Sequence, residues 1–320
     1  MRAYVCHELS VDRSGSRVET GWPEPAAPGP GEVTVAMTAA ALNYPDLLML
    51  SGGYQFRPEL PFVPGVEGAG HIIAVGEDVS GELIGERVVV GARSGCLSER
   101  LTLPLAAVRT MPEGMHDEQA AGFTVGALTA WVGLVERGRL QAGERVLVLG
   151  AGGGMGWAAV QLAKARGATV LAATSDPDKA ALLAETGADE VIVLDRAAPD
   201  FAGLKDIDLV FDPVGGPLAM PALKTLRWGG RYLVIGFAGG PPVKVPLNRL
   251  LLKGTEIVGV RAGEAGRQDA GAGARHLREI DALAGQMVPH IGLTVPLERI
   301  DEAFAAMADG RITGKAVVTF

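Results

Sequence analysis

VLVLGAGGGMGWAAVQLAKARGATVLAATSDPDKAALL, Val146 to Leu183, decides the fold. An apolar run stops at a cluster of glycines. A helical pattern follows, and then a second apolar run. Glycines at that point let the chain turn tightly and bring its backbone close to a ligand without an intervening Cβ. The helix that follows begins with free N–H groups and a partial positive charge, which suit a pyrophosphate. Gly150, Gly153 and Gly156 keep a variant of the Gly-x-Gly-x-x-Gly spacing, with Gly154 and Met155 between the last two. The spacing alone is weak, since glycines also permit close helix–strand packing. Within a βαβ unit of this length it predicts a dinucleotide site.

Which dinucleotide is bound depends on the end of the second strand. An acid there accepts hydrogen bonds from the ribose 2′-hydroxyl of NAD. In LAATSDPDK, Thr174 stands at that place, Ser175 adds a hydroxyl, and Lys179 lies one turn into the next helix. This follows if Asp176 caps that helix and Pro177 is its first residue. A neutral strand end, a hydroxyl and a lysine suit a 2′-phosphate, hence NADP(H). Asp176 is the alternative: if it, and not Thr174, meets the ribose, NADH is preferred.

The rest of the chain gives these units a setting. Its 320 residues favour two domains, and the net charge of −8 is ordinary. No basic block or aromatic–basic stripe points to nucleic acid. MRAYVCHELSVDRSGS lacks a long apolar region, so no signal peptide is read there, and a cytoplasmic protein is expected. The most apolar segment, Ala120 to Val135, holds glycines and reads as a buried helix, not a membrane span. Two cysteines, Cys6 and Cys96, leave no disulfide framework and no cysteine-cluster zinc site.

The first hundred residues carry short apolar runs between Pro and Gly clusters and read as mostly β. From Asp117 a long helical stretch runs to RGRLQAGE, and then strands and helices alternate. The patterns predict strands at Arg145–Gly150, Thr169–Ala173, Glu190–Leu194, Asp208–Asp212, Arg231–Gly236 and Glu256–Val260. Alternation of this kind implies an α/β fold with a doubly wound parallel sheet, the Rossmann architecture. The final run, GKAVVTF, has no place in six parallel strands and is assigned to the first domain. The dinucleotide domain, 121–261, is then inserted in a discontinuous catalytic domain, 1–120 and 262–320.

NYPDLLMLSGGYQFRPELPFVPGVEGAG, GALTAW, GERVLVLGAGGGMGWAAVQLAKARGA, DLVFDPVGG, GGRYLVIGFAGG, PLNRLLLKG and GKAVV occur in order. Together they resemble the medium-chain dehydrogenase/reductase superfamily, in its zinc-independent quinone oxidoreductase branch, over nearly the whole chain. The resemblance implies a mostly-β GroES-like catalytic domain and a homodimer. Zinc alcohol dehydrogenases of that superfamily have their catalytic ligands at positions matching Asn43, Val66 and Val125, which form no good zinc set. No metal is therefore expected. Without a Lewis acid, alcohol oxidation is disfavoured, and an acceptor that takes hydride readily is expected: a quinone or an α,β-unsaturated carbonyl. An enoyl-thioester reductase uses the same hydride step and is the alternative within enzymes. A nucleotide-binding protein with little catalysis is the alternative outside them.

The resemblance also implies roles for individual residues. Asn43 stands near nicotinamide and substrate, to bond the ribose or to polarise the acceptor carbonyl. Asp46 either shares that chemistry or ties down its loop. Tyr54, in the substrate-facing segment, either donates to the developing oxyanion or packs as a gate. Thr129 lies near the nicotinamide, Ile235, Gly236, Phe237 and Ala238 meet the carboxamide, and Asn248 and Lys315 lie near the cofactor. The chain departs from the family after its sixth strand, where Arg261 replaces a bulky aromatic. Arg261 either reads an anionic substrate or pairs with Glu264. The Gly-Ala-rich stretch beyond it reads as mobile, a lid or a loose surface loop.

Overall fold

The computed structural model describes residues 1–195, 198–201 and 203–320. Packing divides them into two compact units, Met1–Thr124 with Pro289–Phe320, and Val125–Val288.

The first unit is built on a long central strand, Glu32–Ala41. It pairs antiparallel on one side with Glu67–Val75 and on the other with Lys315–Thr319. Arg87–Gly91 continues the sheet beyond Glu67–Val75, and Ile291–Pro296 lies beyond Lys315–Thr319. The alternation of EVTVAMTAAA buries Val33, Val35 and Met37 in one core with Ile72, Val88, Val90 and Val318. The C-terminal run therefore joins the first domain's sheet, as its pattern predicts.

The second unit holds six parallel strands: β1 (Arg145–Leu149), β2 (Thr169–Thr174), β3 (Glu190–Val193), β4 (Ile207–Asp212), β5 (Leu226–Val234) and β6 (Glu256–Gly259). Their order across the sheet is β3-β2-β1-β4-β5-β6. That is the doubly wound order, with its crossover beside β1, where such sheets bind ligands. Each predicted strand is present, with ends shifted by a few residues; β5 starts five residues earlier than its apolar pattern, at Leu226.

Packing puts the first junction between Thr124 and Val125; residues 262–288 pack with the second unit, and the chain returns to the first only at Pro289. The Gly-Ala-rich stretch is not a loop: it forms α-helices Ala262–Gln268 and Ala270–Ala282. The second buries Ala272, His276 and Ile280, an i, i+4, i+8 stripe, and His276 Nε2 lies 3.3 Å from Glu136. Glycines here serve close packing: a Cβ on Gly273 would sit 2.8 Å from Gly266 Cα. No helix among the described residues is long and apolar enough to cross a membrane.

Candidate active site

Three strand ends of the first unit converge, and the register explains why. Val317 faces Ala41, and Ala40 faces Gly68. Continuing those pairings by one or two residues brings Lys315 and Glu67 to either side of the chain leading into Asn43. Leu42 N–H donates to Ala316 O at 2.9 Å and ties the chain leading into Asn43 to the Lys315 strand. Asn43 then starts helix α1 (Tyr44–Leu50), whose first turn contains Pro45.

The convergence buries a polar cluster. Lys315 Nζ donates to Asn43 Oδ1 at 2.7 Å and to Glu67 Oε1 at 2.6 Å. Asn43 Nδ2 donates to Glu67 Oε1 at 3.0 Å and to Ala41 O at 3.2 Å. Asp46 is fully buried, accepting from Asn43 N–H at 2.8 Å and from Gly65 N–H at 3.0 Å. Burial pushes its carboxyl up to about 7, against the pull of those two amides and of the Lys315 charge. Burial likewise pushes the Cys96 thiol up, aided by the charges of Asp46 and Glu67. Asp46 is thus engaged with the backbone on both oxygens and fixes the loop around α1. Tyr54 follows α1, half-buried against the core, and no protein group among the described residues partners its hydroxyl.

The second unit positions the glycine turn. Gly150 ends β1 with φ of 59°, a left-handed conformation that favours glycine. Gly153 is the N-cap of α2 (Gly154–Ala165), and no side chain caps the helix. A Cβ on Gly156 would lie 2.3 Å from Gly150 O and 2.6 Å from Ala151 Cα, so helix and strand touch there.

At the end of β2, Thr174 is buried and its hydroxyl accepts from Asp176 N–H at 3.2 Å. Asp176 caps α3 (Pro177–Glu185), accepting from Asp178 N–H at 3.0 Å. Lys179 is 7 % exposed and its stem lies on the glycine turn, where a Cβ on Gly152 would be 2.8 Å from Lys179 Cδ. Its ammonium is 3.8 Å from Asp176 Oδ2. The Asp176 carboxylate is thereby turned to its own helix and to Lys179. Ser175, between Thr174 and Asp176 in the chain, is half-buried.

Thr129 is buried in the helix Phe123–Ala130. Ile235, Gly236, Phe237 and Ala238 follow β5, tied to the end of β4 by bonds from Ile235 N–H to Asp212 O at 2.9 Å and from Ala238 N–H to Pro213 O at 3.4 Å. Sequence reasoning missed Asp212, which organises this corner. Its carboxylate accepts from Val214 and Gly215 N–H at 2.8 and 2.7 Å and from the Tyr232 hydroxyl. The signal was present in DPVGG, an acid followed by the Gly215–Gly216 pair at φ 65° and 56°. Asn248 lies exposed at the start of the helix Asn248–Lys253. Arg261 is at the surface, its guanidinium 3.6 Å from Glu264 with 58 % of its side chain exposed. That is the pairing arrangement, and the geometry gives no support to Arg261 as a reader of substrate charge.

Two family models match, the alcohol dehydrogenase GroES-like domain over 29–137 and the zinc-binding dehydrogenase over 154–277. Quinone oxidoreductase-like protein 2 of Mus musculus is 32 % identical, with 99 % of this chain and 92 % of that protein covered. The chain belongs to the quinone oxidoreductase branch of the medium-chain dehydrogenase/reductase superfamily. It is an oxidoreductase of that family. The synaptic vesicle membrane protein VAT-1 homolog of Homo sapiens is 33 % identical over 92 % of the chain and 80 % of its own length. Among solved structures, the quinone oxidoreductase of Thermus thermophilus, also described in complex with NADPH, is similar with a TM-score of 0.84, 33 % identity and full coverage of both chains.

Proposed function

We propose that the protein reduces quinones or α,β-unsaturated carbonyls with NADPH, without zinc. The observation that carries the reading is the Lys315–Asn43–Glu67 cluster at the family's metal position. A cation placed there would meet an ammonium already bonded to both groups it needs, and an amide whose oxygen is engaged by Lys315. The donor set does not fit zinc. An acceptor that takes hydride without Lewis-acid help is what remains. Following NADPH oxidation against a panel of quinones and enals tests this; a protein that binds NADPH and reduces none of them contradicts it.

The cofactor's residues fit on physical grounds. The uncapped amides from Gly154 onward suit the pyrophosphate, with Met155 in the same turn. Thr174, Ser175 and Lys179 suit the 2′-phosphate. Bound there, the reduced nicotinamide supplies the hydride. Thr129 and the Ile235–Ala238 segment orient the ring, with Asn248 at the rim. Tyr54 brings a proton to the oxygen that gains charge as hydride arrives.

Lys179→Ala is expected to raise the KM for NADPH tenfold or more, since a charged contact of this kind is worth about 1–3 kcal/mol. The KM for NADH should stay nearly unchanged. Equal effects on the two cofactors would sink the 2′-phosphate assignment.

A homodimer completes the reading. Strand β6 is a sheet edge, and exposed edges need covering. Trp228, Leu247, Leu251 and Leu252, each more than 70 % exposed, belong to β5 and to the segment that leads into β6. Edge-to-edge pairing with a second copy would cover both. Light scattering at micromolar concentration should give the mass of two chains; a monomer refutes the dimer.

A further inference from the structure

Lys315 and Glu67 form a buried ion pair, their side chains 7 % and 1 % exposed. Such a pair is costly to desolvate, and a well-packed apolar pair of similar volume is often no less stable. Its geometry shows what it does to the residue between them. An ammonium only donates and a carboxylate only accepts, so together they dictate which way the Asn43 carboxamide faces. Oδ1 must face Lys315 and Nδ2 must face Glu67. Both Nδ2 protons are then used, on Glu67 Oε1 at 3.0 Å and Ala41 O at 3.2 Å. Oδ1 accepts one bond, from Lys315 at 2.7 Å, and keeps a second lone pair.

We propose that Lys315 and Glu67 are positioning residues that lock the Asn43 carboxamide as an acceptor-only group, so that it recognises a ligand hydroxyl and cannot polarise an acceptor carbonyl. The inference rests on the proposed function only for the identity of the ligand. Asn43 is 5 % exposed, so the carboxamide cannot rotate to offer Nδ2 without breaking three bonds and leaving Glu67 and Lys315 without their shared partner. Two ligands of the proposed reaction carry hydroxyls: the nucleotide, on its riboses, and the hydroquinone product. The carbonyl of an enal or quinone carries none.

The sequence makes the test direct, because the chain has two asparagines, Asn43 and Asn248. Selective ¹⁵N-asparagine labelling therefore gives two carboxamide signals, and Asn248→Asp assigns them. In the ligand-free protein the Asn43 amide protons should exchange with water at least tenfold more slowly than those of Asn248, which is exposed. Lys315→Met should abolish that protection. If that variant does not fold, the charge-neutral Lys315→Met/Glu67→Gln protein takes its place. It should keep its fold yet lose the protection, and its KM for the hydroxyl-bearing ligand should rise with little change in kcat. NADPH and a hydroquinone are then added separately, with binding followed independently by fluorescence. A shift of the Asn43 signal on binding identifies which hydroxyl it accepts from. Equal exchange at Asn43 and Asn248, or a neutral double variant with unchanged protection and kinetics, overturns the lock. So does binding of both ligands with no shift. If NADPH does not bind at all, the functional reading fails while the lock, read without ligand, stands.

Discussion

Gly156→Ala is expected to abolish nucleotide binding, weakening it at least a hundredfold, and to lower stability. The Cβ would fall 2.3 Å from Gly150 O and 2.6 Å from Ala151 Cα. Both are backbone atoms, so no side chain can rotate away. Helix α2 must back off from β1, at a cost of about 1–3 kcal/mol for overpacking. The same movement displaces the helix's first amides, from Gly154 onward, from the place a pyrophosphate needs them. Gly21→Ala is the control, because a Cβ there meets nothing within 4 Å. Titration of cofactor fluorescence and a thermal melt read the two effects. If Gly156→Ala binds as the parent does, the glycine turn is not the cofactor cradle.

Tyr54→Phe should lower kcat for enals by about a hundredfold, at the lower end of what a positioned proton donor contributes. KM should change little, because the ring still packs. Stability should not change either, since the hydroxyl removed has no protein partner among the described residues. That combination separates catalysis from packing. A kcat equal to the parent's would make Tyr54 a packing ring and leave the proton to water. Asp46 has both of its oxygens bonded to backbone amides, which fits a role in holding the loop.

Much of this was legible in the sequence, and the reasons are local. Runs such as RVLVL and TVLAAT are too apolar for an exposed strand, and the glycines and helical patterns between them dictate parallel pairing. Lys179 could be placed because the Asp176-Pro177 start fixes where the helix begins. What stayed hidden depends on distant pairing. Lys315 and Glu67 are 248 residues apart, and only the register of both strands against Glu32–Ala41 brings them together. Read alone, Glu67 is a single carboxylate and Lys315 a lysine near a cofactor. Glycine misled in 262–282, where it permits helices to touch but reads as mobility. Arg261 was ambiguous for a related reason: the nearby Glu264 pairs with it only once the residues after 261 turn helical.

The most direct test is NADPH oxidation, followed at 340 nm, by protein stripped of metal with a chelator and checked by elemental analysis. The account predicts that metal-free protein reduces a quinone or an enal at the same rate as untreated protein, and that added zinc does not increase it. Activity lost on stripping and restored by one zinc per chain would contradict it.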